Sequence, residues 1–194
     1  MNIILIRHPI SEGNLEGTVQ HALIGEIHAR GHAQIEQLCK RIQQEPYDMV
    51  YASDAERCRI LAERLAALRQ TQPKYNSLFR EIDNGEWYTR KKSDMNRLLW
   101  KDPFYTRPPG GESINDVWIR AQEALRYIES RGQQRVVLIS HAVFFKCLVG
   151  SQLGMGPLKA YAQLKFSNCA LSEIRQTEHG WMIEYLNNRE YLRT

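Results

Sequence analysis

Two rhythms of apolar positions run along this chain. Residues 2–6 read N-I-I-L-I, a short run rich in β-branched side chains, the pattern of a strand buried on both faces of a parallel sheet. Arg135–Ser140, R-V-V-L-I-S, is a second such run. Around them the spacing turns helical. Ile27, Ile35, Leu38 and Ile42 mark one face of a helix over about 29–44, closed by Pro46. Met49–Ala52 predicts a short strand, and the helix after it, capped by Ser53 or Asp54, buries Leu61, Leu65 and Leu68 and runs to about Gln70. Residues 75–79, after Pro73, predict a third, shorter strand. Ser113 and Asp116 have capping-box spacing ahead of the stripe Ile114, Val117, Ala121, Leu125 and Ile128, which predicts a strongly amphipathic helix. Residues 142–153 are apolar almost all round and predict a central helix. In the tail, residues 160–166, 170–175 and 181–186 read as strands, the last two joined by a turn near His179 and Gly180.

Strands alternating with helices predict an α/β fold on a mostly parallel sheet. A length of 194 residues suits one well-buried core, so a single domain spanning 1–194 is expected. The pattern breaks at about 82–111, where Trp87, Trp100, Pro103, Pro108 and Pro109 crowd an irregular stretch. A long irregular segment inside a compact domain is expected to be a functional lid. Within it, Ser93 is placed to cap a short helix carrying Met95, Leu98 and Leu99.

Composition narrows the classes of partner. The formal charge is +4, with Lys and Arg scattered among 22 acidic residues and only Arg90-Lys91-Lys92 forming a run. A nucleic-acid binder concentrates its cations in a stripe with aromatic platforms, so no nucleic-acid partner is expected. The triplet reads first as a solvated loop and second as a contact for an anionic substrate. No apolar run approaches the roughly 20 residues that cross a bilayer, and the first strand carries no basic leader, so no membrane partner and a cytoplasmic address are expected. Cys39, Cys58, Cys147 and Cys169 lie far apart without a C-x-x-C pair, which argues against a zinc site or a disulfide framework. A homodimer is left open.

Candidate chemistry gathers where the two buried strands end. The first runs into Arg7-His8-Pro9 and the second into His141. Ligands of open α/β sheets collect at the carboxyl ends of strands, and adjacent strands lie roughly 4.8 Å apart, so the two imidazoles can converge on one small anion. Ser11, Gly13 and Asn14 add a hydroxyl, a flexible backbone and an amide in the same loop. Arg57 falls in the first turn of the helix after the second strand, where a cation opposes the helix dipole and a bound anion explains it better than helix stability. The competing reading for Arg57 is a surface pair with Glu56.

These residues resemble the histidine phosphatase superfamily, the phosphoglycerate mutase-like proteins. R-H-P-I-S-E-G-N at 7–14 is similar to the signature R-H-G-x-T-x-x-N, and S-D-A-E-R-C-R at 53–59 to the segment bearing the second arginine. F-R-E-I-D-N-G-E-W at 79–87, P-G-G-E-S at 109–113 and L-I-S-H-A at 138–142 follow in the family's order, while Ser167-Asn168 fits less specifically. The resemblance implies a three-layer α/β/α sandwich and a metal-independent phosphomonoesterase without a cofactor, acting on a small phosphorylated metabolite. His8 is the implied nucleophile, with a backbone carbonyl holding its other ring N–H, and Glu81 the implied general acid and base, held protonated by burial or by the substrate dianion. Arg7, Arg57, His141 as imidazolium, and Asn14 would hold the phosphoryl oxygens, with Ser11 and the amide of Ala142 as further donors.

Departures from the pattern bear on substrate. Pro9 stands where the family has glycine, removing an N–H, and Ile10, Ser11, Asn84 and Tyr88-Thr89 depart as well. Trp87, Tyr88, Trp100, Phe104 and Tyr105 read as an aromatic wall for an organic group or as packing of the lid on the core. A phosphomutase is the competing enzyme, and a phosphate- or phosphopeptide-binding scaffold without turnover is the competing non-enzyme.

Overall fold

The computed structural model describes residues 1–94, 102 and 104–192. Six strands form one sheet in the order β3-β2-β4-β1-β5-β6. They are β1 (Asn2–Arg7), β2 (Met49–Ala52), β3 (Lys74–Tyr75), β4 (Arg135–Ser140), β5 (Leu171–Thr177) and β6 (Gly180–Asn188). The four strands from β3 to β1 are parallel, whereas β5 pairs antiparallel with β1 and β6 antiparallel with β5. The helices are α1 (Glu12–Leu15), α2 (Ala29–Ile42), α3 (Glu56–Ala67), α4 (Ile114–Glu129), α5 (Ala142–Gln152) and α6 (Pro157–Gln163).

The sheet is covered on both sides, which is why β1 and β4 are apolar at every interior position. Successive side chains of a strand point to opposite faces. Ile3 and Leu5 therefore pack with α4, α5 and α6 through residues such as Val117, Phe145 and Ala160, while Ile4 and Ile6 pack with α2 and α3 through Leu38, Leu61 and Leu65. Each of these Ile and Leu side chains contributes about 1.5–3 kcal/mol on leaving water. The apolar circumference of α5 has the same cause: Phe144, Phe145, Cys147, Leu148 and Val149 are all buried. At Gly150 a Cβ would lie 2.3 Å from the Cβ of Ala160, so the close approach of α5 to α6 requires glycine there.

The main elements stand where the periodicity puts them, with differences that have local causes. Residues 160–166 are not a strand: Pro157 occupies the first helical position and starts α6, which ends at Gln163, and Leu164 and Phe166 are buried in the link after it. The third strand is only Lys74–Tyr75; the Asn76 side chain then accepts from Leu78 N and turns the chain into a short 3-10 helix, Ser77–Phe79. The N-cap of α3 is Ala55, because the Ser53 hydroxyl faces Ala55 N and His141 instead. Residues 92–94 are helical, so Ser93 lies within that turn and not ahead of it; Met95, Leu98 and Leu99 lie outside the described residues. Ser113 caps α4 with the reciprocal Asp116 contact that its spacing predicts.

Candidate active site

Strand register brings the two histidines together. Arg7 pairs with Ser140 at the ends of β1 and β4, so the next residues, His8 and His141, leave the sheet side by side. Their ring centroids are 5.1 Å apart, and both side chains are buried. His8 Nδ1 lies 2.7 Å from the carbonyl oxygen of Pro9. A carbonyl only accepts, so the His8 proton is on Nδ1 and Nε2 carries the lone pair. Burial, then Arg57 and Arg7, push the His8 pKa well below the ordinary imidazole value and keep the ring neutral.

The sequence reading of His141 as an imidazolium is corrected by its contacts. Arg57 Nη2 lies 3.2 Å from His141 Nδ1, and a guanidinium has no lone pair with which to accept. Nδ1 is therefore the acceptor, and the proton sits on Nε2, 3.0 Å from the Ser53 hydroxyl. Burial, followed by the charge of Arg57, pushes the His141 pKa well below its ordinary value. Both ring nitrogens are engaged by protein groups, so the positive charge of this cluster comes from the arginines.

Arg57 is buried at 2% exposure and makes no pair with Glu56, whose carboxylate accepts from Gly25 N instead. Its Nη1 donates to the carbonyl of His21 at 3.0 Å, and its Nε has no partner among the described residues. Arg7 repeats the pattern: Nη1 donates to the carbonyl of Phe166 at 2.9 Å, and Nε is buried without a partner among the described residues. Buried guanidinium nitrogens left without acceptors are costly unless an anion supplies them.

Glu81 follows the 3-10 helix after β3 and meets the first turn of α5. Its carboxylate accepts from Val143 N, at 3.1 and 3.2 Å to its two oxygens, and from Phe144 N at 3.1 Å. A carboxylate at a helix N-terminus satisfies amides that have no partner inside the helix. The backbone of the same segment is fixed by Arg120, which donates to the carbonyls of Leu78 and Arg80 and pairs with Glu112 at 2.8 Å.

The opening loop is tied to the tail. Asn168 Nδ2 donates to the carbonyl of His8 at 2.9 Å and lies 3.1 Å from Asn14 Oδ1. Asn14 Oδ1 also accepts from Ser11 N, which leaves its Nδ2 without a described protein acceptor. Ser11 is fully buried, its hydroxyl 2.7 Å from Gln20 Oε1 and 3.0 Å from Asn14 Oδ1, so it braces the loop.

A cavity of about 350 Å³ opens over this group, lined among others by Arg7, His8, Asn14, Arg57 and Glu81. Gln20, Lys92, Trp87, Glu112 and Tyr161 line it as well. Ser11, His141 and Ala142 do not; His141 is fully buried and Ala142 lines a separate cavity. Of the basic triplet, Lys92 reaches this cavity. The expected aromatic wall reduces to Trp87: Tyr88 bonds Asp83, Phe104 packs on the core, Tyr105 is exposed, and Trp100 lies outside the described residues. Sequence reasoning missed Gln20, Ser53, Arg120 and Tyr161. Their roles depend on contacts between segments far apart in the chain.

This geometry has known relatives. The chain belongs to the histidine phosphatase superfamily (branch 1), whose model matches residues 3–189. It is 28% identical over 190 residues to "Probable phosphoglycerate mutase GpmB" of Salmonella choleraesuis, covering 94% of this chain and 88% of that protein. The α-ribazole phosphatase of Shigella flexneri superposes with a TM-score of 0.88 at 22% identity, over 97% of this chain and 96% of that one. A mutant phosphoserine phosphatase of Entamoeba histolytica, in complex with phosphoserine, superposes with a TM-score of 0.87 at 21% identity over 99% of each chain. These neighbours share the phosphoglycerate mutase-like fold.

Proposed function

We propose that this protein is a phosphomonoesterase that hydrolyses a small phosphorylated metabolite through a phosphohistidine on His8. One observation carries the reading: a neutral His8 with Nδ1 held by Pro9 O and Nε2 unprotonated, beside two buried guanidiniums with orphaned Nε groups. Phosphoryl transfer asks for a nucleophile in line with the leaving oxygen and fixed positive charge around the other oxygens. Arg7 and Arg57 supply that charge, and Asn14 Nδ2 is an added donor.

In the first step His8 Nε2 forms a bond to phosphorus while the ester P–O bond breaks. Glu81 gives the leaving oxygen its proton. In the second step Glu81 takes a proton from water, whose oxygen attacks phosphorus as the P–N bond breaks, releasing inorganic phosphate and restoring His8 and the acid. The two arginines do the electrostatic work that magnesium does in many other phosphoryl-transfer sites, and among the described residues no group of three His, Cys, Asp or Glu is arranged to hold a metal ion. A cavity of about 350 Å³ suits a small metabolite. No described helix is long and apolar enough to cross a membrane, and a cytoplasmic address fits the reading.

A phosphate-ester screen with free-phosphate readout, paired with acid-labile phosphoenzyme trapping by rapid quench, tests this. Release of phosphate with a trapped phosphohistidine is expected. A phosphomutase is the second reading, favoured by the 28% identity to proteins named as mutases. It predicts dependence on a bisphosphorylated primer and an isomerised ester in place of free phosphate.

A further inference from the structure

A second cavity, of about 620 Å³, lies behind Arg7 and is lined by five cations, Arg7, Arg30, Lys146, Lys165 and Arg189, with no Asp or Glu among its lining residues. The chain carries 22 acidic residues, so the absence of every one of them from this lining is a local arrangement. Arg30, Lys165 and Arg189 are exposed and make no ion pair among the described residues. Like charges gathered around one concavity repel each other and focus a positive potential into it.

Two further observations point inward. Ala142, the first residue of the 11-residue helix α5, lines this cavity, and its N–H has no acceptor among the described hydrogen bonds. Val143 and Phe144, the next two, are already occupied by Glu81. Arg7 borders both cavities. We infer that this trough is a second anion site that takes an oligophosphate chain, distinct from the cavity over His8.

The chemistry of the lining selects that ligand class. A monophosphate cannot meet cations spread around a cavity of this size, whereas a chain of two or three phosphates presents several charges at once. Phe166 is the aromatic residue in the lining and it is buried, so no platform for stacking bases is offered, which argues against single-stranded nucleic acid. On the proposed reaction the leaving group faces Glu81, which lines the other cavity and not the trough. Because Arg7 belongs to both sites, a ligand that draws on its guanidinium weakens binding over His8, and phosphate over His8 weakens the ligand equally.

Calorimetric titration of the whole protein with tripolyphosphate, in buffer containing enough inorganic phosphate to fill the cavity over His8, tests this. One tripolyphosphate per chain is expected, with affinity falling as salt rises and weakened at least about tenfold in R30Q/K165Q/R189Q. That variant changes three exposed side chains and should keep wild-type melting and wild-type affinity for inorganic phosphate. No heat above phosphate, or equal affinity in the variant, overturns the site. A nucleoside triphosphate measured in parallel separates the two sources: tighter binding than tripolyphosphate means a nucleotide-borne chain, weaker means a free one, and either keeps the site. The inference does not rest on turnover. Loss of inorganic phosphate binding alone would count against the catalytic reading and leave the trough standing.

Discussion

Arg57 aims its Nη2 at the Nδ1 of His141 across 3.2 Å, and this fixes His141 as a neutral acceptor. His8, buried beside it, is neutral too, and both pKa values lie well below the ordinary 6.5. Below about pH 6.5 the unfolded chain takes up protons at these positions that the folded chain refuses, so stability rises with pH through this window and is lost as pH falls. The folded state should therefore be less stable at pH 5.5 than at pH 7.5. Urea melts at both pH values measure it, and His141→Gln should remove about half of the difference. Melts that coincide at the two pH values would show that the histidines are free to protonate in the fold.

Replacing His8, the proposed nucleophile, should separate binding from chemistry. His8→Ala is expected to lower turnover by at least about 10³-fold and to abolish the trapped phosphoenzyme, with melting close to wild type. A variant that still accumulates acid-labile phosphate would place the nucleophile elsewhere.

Glu81→Gln keeps the size of the side chain and one oxygen that can accept from the α5 amides while removing the proposed proton donor. Esters with poor leaving groups should slow by about 10²-fold or more, and aryl esters with good leaving groups by far less. Equal losses for both classes would take Glu81 out of the acid role.

Arg120 touches neither histidine, yet it holds the carbonyls of Leu78 and Arg80 and the carboxylate of Glu112. Arg120→Met should loosen Glu81 and steepen the dependence of kcat on leaving-group pKa, and Arg120→Lys should recover part of it. A general structural defect would slow good and poor leaving groups alike. The Brønsted slope therefore distinguishes the two.

Chelation supplies a further check on where the charge comes from. With Arg7 and Arg57 as the cations, exhaustive treatment with EDTA should leave kcat/KM within about twofold of its starting value. A large loss restored by a divalent ion would assign the electrostatic work to a metal.

What was legible in the sequence was whatever a local rule determines. Residues 2–6 and Arg135–Ser140 have no polar interior position because helices cover both faces of the sheet, and that composition is visible without coordinates. The same strands deliver His8 and His141, so the core of the site came with the fold. Residues 160–166 misled because Leu164 and Phe166 alternate as in a strand, whereas Pro157 set a helix three residues earlier. The state of His141 was out of reach for another reason. It is decided by Arg57 and Ser53, 84 and 88 residues away in the chain, and neither contact leaves a mark on local spacing.

The bond from Asn168 to the carbonyl of His8 spans 160 positions. During synthesis His8 is made on the order of ten seconds before the segment that clamps its loop. A product stalled before Asn168 would therefore carry the His8 loop without this tether. The tether forms only once the segment just ahead of β5, the strand that docks beside β1, has been made.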